Sequence, residues 1–178
     1  GEPVSKFMYG CLLASALTYL LVNQQDAVGL VTFDTQMRRY IPARSRRSQV
    51  RLILEELAAT APGGETGLAP IFHDIAERVH RRGLVIVISD LLDDPDEILS
   101  ALHHFRYRRH EVVVLHVLAE EELTFPFSQF VEFRDLESAG RRIRLDPRTV
   151  RAEYLDLLRK HLRRLDRKST RLNSSHYS

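Results

Sequence analysis

Apolar positions along this chain fall into two rhythms. Short dense runs occur at 27–33 (Ala-Val-Gly-Leu-Val-Thr-Phe), 84–88 (Leu-Val-Ile-Val-Ile) and 111–117 (Glu-Val-Val-Val-Leu-His-Val). Runs that brief and that rich in β-branched residues predict strands, buried on both faces where no polar residue alternates. Between them apolar residues recur at helical spacing. Residues 4–23 form a predicted first helix. Val50, Ile53, Leu54 and Leu57 mark a second, with Ser48 as its predicted cap. Leu68, Ile71, Phe72, Ile75, Ala76 and Val79 mark a third, starting near Thr66 after the breaker Pro62-Gly63-Gly64. Ile98, Ala101, Leu102 and Phe105 face inward on a fourth. Asp146-Pro147 opens the last, with Val150, Tyr154, Leu157, Leu158, His161, Leu162 and Leu165 on one face. Arg39-Tyr40-Ile41 is a short antiparallel partner of the first strand, because only a tight turn separates them. Residues 130–133 and 142–145 read as shorter strands. Strands and helices alternate, so the predicted class is α/β with a mostly parallel sheet.

The run at 84–88 ends in Ser89-Asp90, then Leu91-Leu92-Asp93-Asp94-Pro95. Asp94 suits a helix N-cap and Pro95 the first helical position. Asp90 therefore falls at the carboxyl end of a central strand, the edge where ligands bind in open α/β sheets. The loop Gly63-Gly64-Glu65-Thr66-Gly67 delivers a hydroxyl to a helix start, where an N-cap is the simplest role for Thr66. For Asp93 and Asp94 the simplest role is also helix capping.

Composition narrows the choice of function. The 178 residues suit one domain with a sizeable core. A formal charge of +2 does not argue for nucleic acid. A single cysteine, Cys11, excludes an internal disulfide and fits a reducing, cytoplasmic setting. Residues 7–22 have the composition of a signal-peptide core. No Met opens the sequence, no small-residue cleavage site follows, and Asn23-Gln24-Gln25-Asp26 leads directly into a strand. The run is also short for a bilayer, so it reads as a buried helix under a sheet, and no membrane segment is expected. Arg38, Arg39, Arg44, Arg46, Arg47 and Arg51 cluster, most simply as a solvated face. His103, His104, His110 and His116 lack zinc-site spacing. From Lys168 to Ser178 the sequence is polar and aperiodic, which predicts a loose tail after a domain at 1–167. That tail also resembles translated sequencing-adapter read-through.

Several segments together resemble a known family. They are Gln25 to Asp34, Gly64-Glu65-Thr66, Arg82 to Pro95, His110 to Leu118 and Glu122-Leu123-Thr124-Phe125-Pro126-Phe127. In order and spacing they resemble the bacterial domain-of-unknown-function family numbered fifty-eight, across about residues 4–166. The threonine loop and the strand ending in Ser-Asp also resemble the second and third motifs of the von Willebrand factor type A fold. The resemblance implies a three-layer, Rossmann-like sheet with helices on both faces. It implies a divalent metal, Mg²⁺ or Mn²⁺, on the carboxyl edge, with Thr66 and Asp90 matching two of its ligand positions. The first strand and Asp-x-Ser-x-Ser loop of that fold have no counterpart here. The expectation is a sheet lacking its first central strand, with an empty slot of ~9–10 Å or a collapsed pairing of the 28–33 and 84–88 strands. Such a chain is expected to bind little or no metal by itself.

Two functions follow as expectations. The first is a non-enzymatic interaction domain whose implied partner is a MoxR-type AAA+ ATPase. The second is a Mg²⁺-dependent hydrolase or phosphotransferase using Asp90 with Asp93 or Asp94. The sequence contains no nucleophile elbow, phosphate-binding loop or dinucleotide fingerprint.

Overall fold

The Ser5 hydroxyl accepts a hydrogen bond from the Met8 N–H at 3.2 Å and so caps helix α1, Lys6–Asn23. The computed structural model describes residues 4–34, 36–63, 68–79, 81–128, 131–134 and 142–174. After α1 come β1 (Val28–Phe33), β2 (Met37–Arg44), α2 (Arg47–Ala59), α3 (Leu68–Arg78) and β3 (Leu84–Ser89). Then follow α4 (Pro95–Tyr107), β4 (Glu111–His116), α5 (Glu120–Thr124), β5 (Val131–Arg134), β6 (Arg142–Leu145) and α6 (Pro147–Ser174). The fold is mixed α/β.

The described strands form three two-stranded ladders: β1 with β2, β3 with β4, and β5 with β6. Only β3–β4 is parallel, in register from Leu84↔Glu111 to Ser89↔His116. The single, mostly parallel sheet predicted from the sequence is therefore not the observed arrangement. The direction of each pairing follows from its connection, and the antiparallel β1–β2 pair is the one expected. A tight turn at Asp34 and Gln36 joins β1 to β2 and forces them antiparallel, whereas the helical crossover α4 returns the chain parallel to β3. The collapsed pairing is not found. Among the described strands β1 bonds only to β2 and β3 only to β4, and none lies hydrogen-bonded between them.

Side chains join what the backbone leaves apart. Phe72 of α3 meets Phe33 of β1 and Phe105 of α4, each edge-to-face with ring centroids 5.7 Å apart. Around it Ile71, Ile75, Ala76, Ile98, Leu102 and Val87 are buried in one cluster, with Val85, Val112 and Val114 against it. Val85 and Val87 share one face of β3, and Ile88 faces the other way. There a Cβ on Gly10 of α1 would stand 3.5 Å from the Ile88 side chain. A second cluster, Ile41, Ile53 and Leu57, takes Cys11 and Ala14 of α1.

Four local expectations change. Helix α2 starts at Arg47, ahead of Ser48. Buried Gln49 donates from Nε2 to the Val28 and Pro42 carbonyls at 2.9 Å, which draws the helix start onto the β1–β2 hairpin. On α6 Leu155 is buried and Leu157 exposed, because the packed stripe runs through Leu155, Leu158 and Leu165. The backbone of α6 stays helical to Ser174, past the expected tail start at Lys168. Extending a formed helix fixes one residue per new hydrogen bond, so it does not need core packing. Residues 175–178 of the expected tail lie outside the described residues. Finally, α1 is buried on one face only, with Thr18 and Val22 its buried residues.

Replacing Phe72 with Ala is expected to cost ~3–5 kcal/mol in urea unfolding, since it empties the joint between the ladders. Gly29→Ala places a Cβ 2.6 Å from the Ile41 carbonyl oxygen and 2.9 Å from the Ala43 nitrogen, both backbone. A loss of ~1–3 kcal/mol is expected from that overpacking, read as a lower thermal midpoint.

Candidate functional site

At its carboxyl end β3 stops at Ser89, and Asp90 begins the loop. The next residue, Leu91, turns with φ 46° and buries its side chain in the core. A left-handed leucine is strained, and several contacts hold it there. The Leu91 N–H donates to Ser89 Oγ at 3.1 Å. His116, at the end of β4, reaches the Asp90 carbonyl through Nε2 at 2.6 Å. His161 of α6 reaches the Leu91 carbonyl through Nε2 at 2.7 Å. Carbonyl oxygens only accept, so both Nε2 atoms carry the proton.

The Asp90 side chain is turned toward the start of α1. Lys6 Nζ lies 2.9 Å from Asp90 Oδ2 and 2.6 Å from Glu122 Oε1. Glu122 is fixed in turn, its Oε2 accepting from the Ala119 N–H at 2.8 Å. A cation at a helix N-terminus opposes the helix dipole, and the two carboxylates offset that cost. Burial alone would push the Lys6 ammonium down. Hydrogen bonds and attraction from Asp90 and Glu122 outweigh burial and hold it above its ordinary value. Tyr154 of α6 stands near the same charges. Burial raises its phenol first, Glu122 raises it further, and Lys6 partly offsets both.

The residues singled out in the sequence are only partly gathered here. Asp90 is at the strand end as predicted. Thr66 lies outside the described residues. Asp94 caps α4, its Oδ1 accepting from the Asp96 N–H at 2.7 Å and the Glu97 N–H at 3.3 Å. Asp93 Oδ1 accepts from the Asp94 N–H at 2.8 Å. Among the described residues no group of three His, Cys, Asp or Glu side chains is placed to hold a metal ion. In the structure the Asp90 carboxylate is paired with the Lys6 ammonium, which also meets Glu122.

Other candidates take structural roles. His110 is buried, accepting from the Gly83 N–H at Nδ1 and facing the Val79 carbonyl through Nε2, both at 3.2 Å. In the arginine cluster Arg38 pairs with Asp34, Arg39 with Glu56 at 3.2 Å and Arg51 with Glu55 at 2.7 Å. Lys6, Glu122 and His161 are not singled out by the sequence as parts of a site. Lys6 has a signal, being the only charged residue in an otherwise uncharged helix. Glu122 has none, since three glutamates stand in a row at 120–122.

The family described as "Protein of unknown function DUF58" matches residues 4–164. The chain belongs to that family. No curated protein and no solved structure matches it at a significant level.

Lys6→Met is expected to cost about 0.5–1 kcal/mol, discounted for the partly exposed setting of the pair. The folded-state pKa of Lys6 is raised, so its contribution is fully present below the ordinary value of 10.5 and fades as pH climbs through the folded value. Denaturant midpoints across the alkaline range should therefore fall more steeply in the wild type than in Lys6→Met.

Proposed function

We propose that this chain is a non-enzymatic interaction domain of the von Willebrand factor A type, cytoplasmic, with a MoxR-type AAA+ ATPase as its partner. The fold intended is the three-layer arrangement, of which β3–β4 with helices against both faces of β3 would be the centre. One observation carries this reading. Asp90 stands at the carboxyl end of the parallel ladder, on a turn clamped by two histidines, with its carboxylate directed to the neighbouring helix start. Rigid backbone under a partly exposed acidic side chain suits docking. Membership of the family and the resemblance of the Gly64-Glu65-Thr66 loop to the threonine motif support it further.

Direct binding to a purified MoxR-type ATPase, measured by calorimetry with ATP present, tests the proposal. Saturable binding weakened at least ~10-fold by Asp90→Ala is expected. No binding at any accessible concentration, or binding indifferent to Asp90→Ala, would overturn it.

In this reading Mg²⁺ or Mn²⁺ would be held by Thr66 and Asp90 together with further oxygen donors. With the donors of residues 1–178 alone, affinity should be weak or nil. Thr66 offers a neutral oxygen, Asp90 is neutralised by Lys6, and Mg²⁺ sheds water reluctantly. Titration of the chain with Mg²⁺ should give no saturable heat. Tight binding that disappears in Asp90→Ala would show that the chain holds a complete site.

A further inference from the structure

Helix α1 is apolar on both sides but covered on only one. Cys11, Ala14, Thr18 and Val22 face the interior. Met8, Tyr9, Leu12, Tyr19 and Leu20 are between 50% and 59% exposed, and Ala16 is exposed among them. At 100° per residue these six fall on a single stripe. Ser5 and Asn23 end it with polar groups. By length and composition α1 also passes as a membrane span, a test that the core helix of a soluble protein or a signal sequence passes too. A stripe of large apolar side chains left in water marks a contact surface.

We propose that this stripe pairs with the same stripe of a second copy, antiparallel about a two-fold axis level with Ala14. The order of side chains supports a second copy over other occupants. Read from either end about Ala14 the stripe has the same spacing. Met8 falls opposite Leu20 of the second copy, Tyr9 opposite Tyr19, and Leu12 opposite Ala16. Large residue meets small at the centre, which lets the two backbones approach, and the tyrosines pair on both flanks. Self-complementarity of this kind is what an isologous two-fold contact requires. Antiparallel helices also align their dipoles favourably. No charge opposes the approach. Lys6, the helix's one charged residue, is turned aside into its pairs with Asp90 and Glu122. An amphipathic helix lying on a lipid surface carries cations along its polar face, and the covered face of α1 has none at Cys11, Ala14, Thr18 or Val22.

Sedimentation equilibrium of residues 1–178 over ~1–100 µM tests the proposal. The wild type should move from the 20.6 kDa monomer toward twice that mass. Leu12→Glu should stay at monomer mass, or raise the dimer dissociation constant at least ~10-fold, with its far-ultraviolet circular dichroism unchanged. Ala16→Lys alone should behave likewise. An equimolar mixture of L12E and A16K should associate again, because the carboxylate introduced in one copy then faces the ammonium introduced in the other. A wild type that is folded but monomeric throughout would overturn the proposal. So would a dimer indifferent to L12E, which places the interface elsewhere, or a mixture that fails to associate, which rejects the antiparallel register. Monomeric wild type that sediments with anionic phosphatidylglycerol vesicles would overturn it too, assigning the stripe to lipid instead.

Discussion

Packing around one ring, Phe72, stands in for hydrogen bonds that the sheets do not make with each other. The β1–β2 and β3–β4 ladders share no backbone bond, so their relative position depends on side chains. Phe72 sits between Phe33 of the first ladder and Phe105 of the helix that crosses over the second. Dispersion between close-packed rings is weak per atom and large in sum, and it falls off within an ångström of separation. A backbone ladder tolerates loss of a side chain, whereas an aromatic joint does not. The second tie is α1, whose Cys11 and Ala14 meet the hairpin cluster while Gly10 stands close to Ile88 of β3.

The position of α1 also sets the charge at the carboxyl end of β3. Seated against both ladders, the helix brings Lys6 to the strand end, where it meets Asp90 and Glu122. Packing of an apolar helix thereby determines the electrostatics of a polar loop. His116 and His161 fix the backbone beneath, one from the neighbouring strand and one from the last helix. Four separate parts of the chain meet within this one turn, and none is close to Asp90 in sequence.

That distance explains what is legible in the sequence. The β3 run, the Asp94-Pro95 cap and the buried face of α3 follow from local rules of period and capping, and the structure has all three. The place of Asp90 at a strand end is legible for the same reason. Its partners are not, because Lys6 is 84 residues away and Glu122 is 32 further along the chain. Sheet pairing is legible in part, since the antiparallel β1–β2 hairpin follows from its tight turn and is found. Alternation of strand and helix fixes which elements exist and suggests one parallel sheet, while the separation of the β1–β2 ladder from the β3–β4 ladder depends on contacts between segments far apart in the chain. On α6 the phase at Leu157 is ambiguous because two neighbouring stripes have helical spacing, 150–154–157–161 and 155–158–162–165, and period alone does not choose between them.

Among the described strands β1 and β3 each keep one edge without a backbone partner. On β3 that edge belongs to Leu-Val-Ile-Val-Ile, a segment with no charge, no proline and high strand propensity. Sequences of this kind stack as tightly interdigitated sheets when their N–H and C=O groups are left to find one another. The nearby gatekeepers are Arg81 and Arg82 before the run and Asp90 after it, all at its ends. The same continuous apolarity that suits β3 to a sheet interior gives it the composition of a fibril-forming segment. An edge of that composition is a hazard whenever it is open to another chain, during refolding above all.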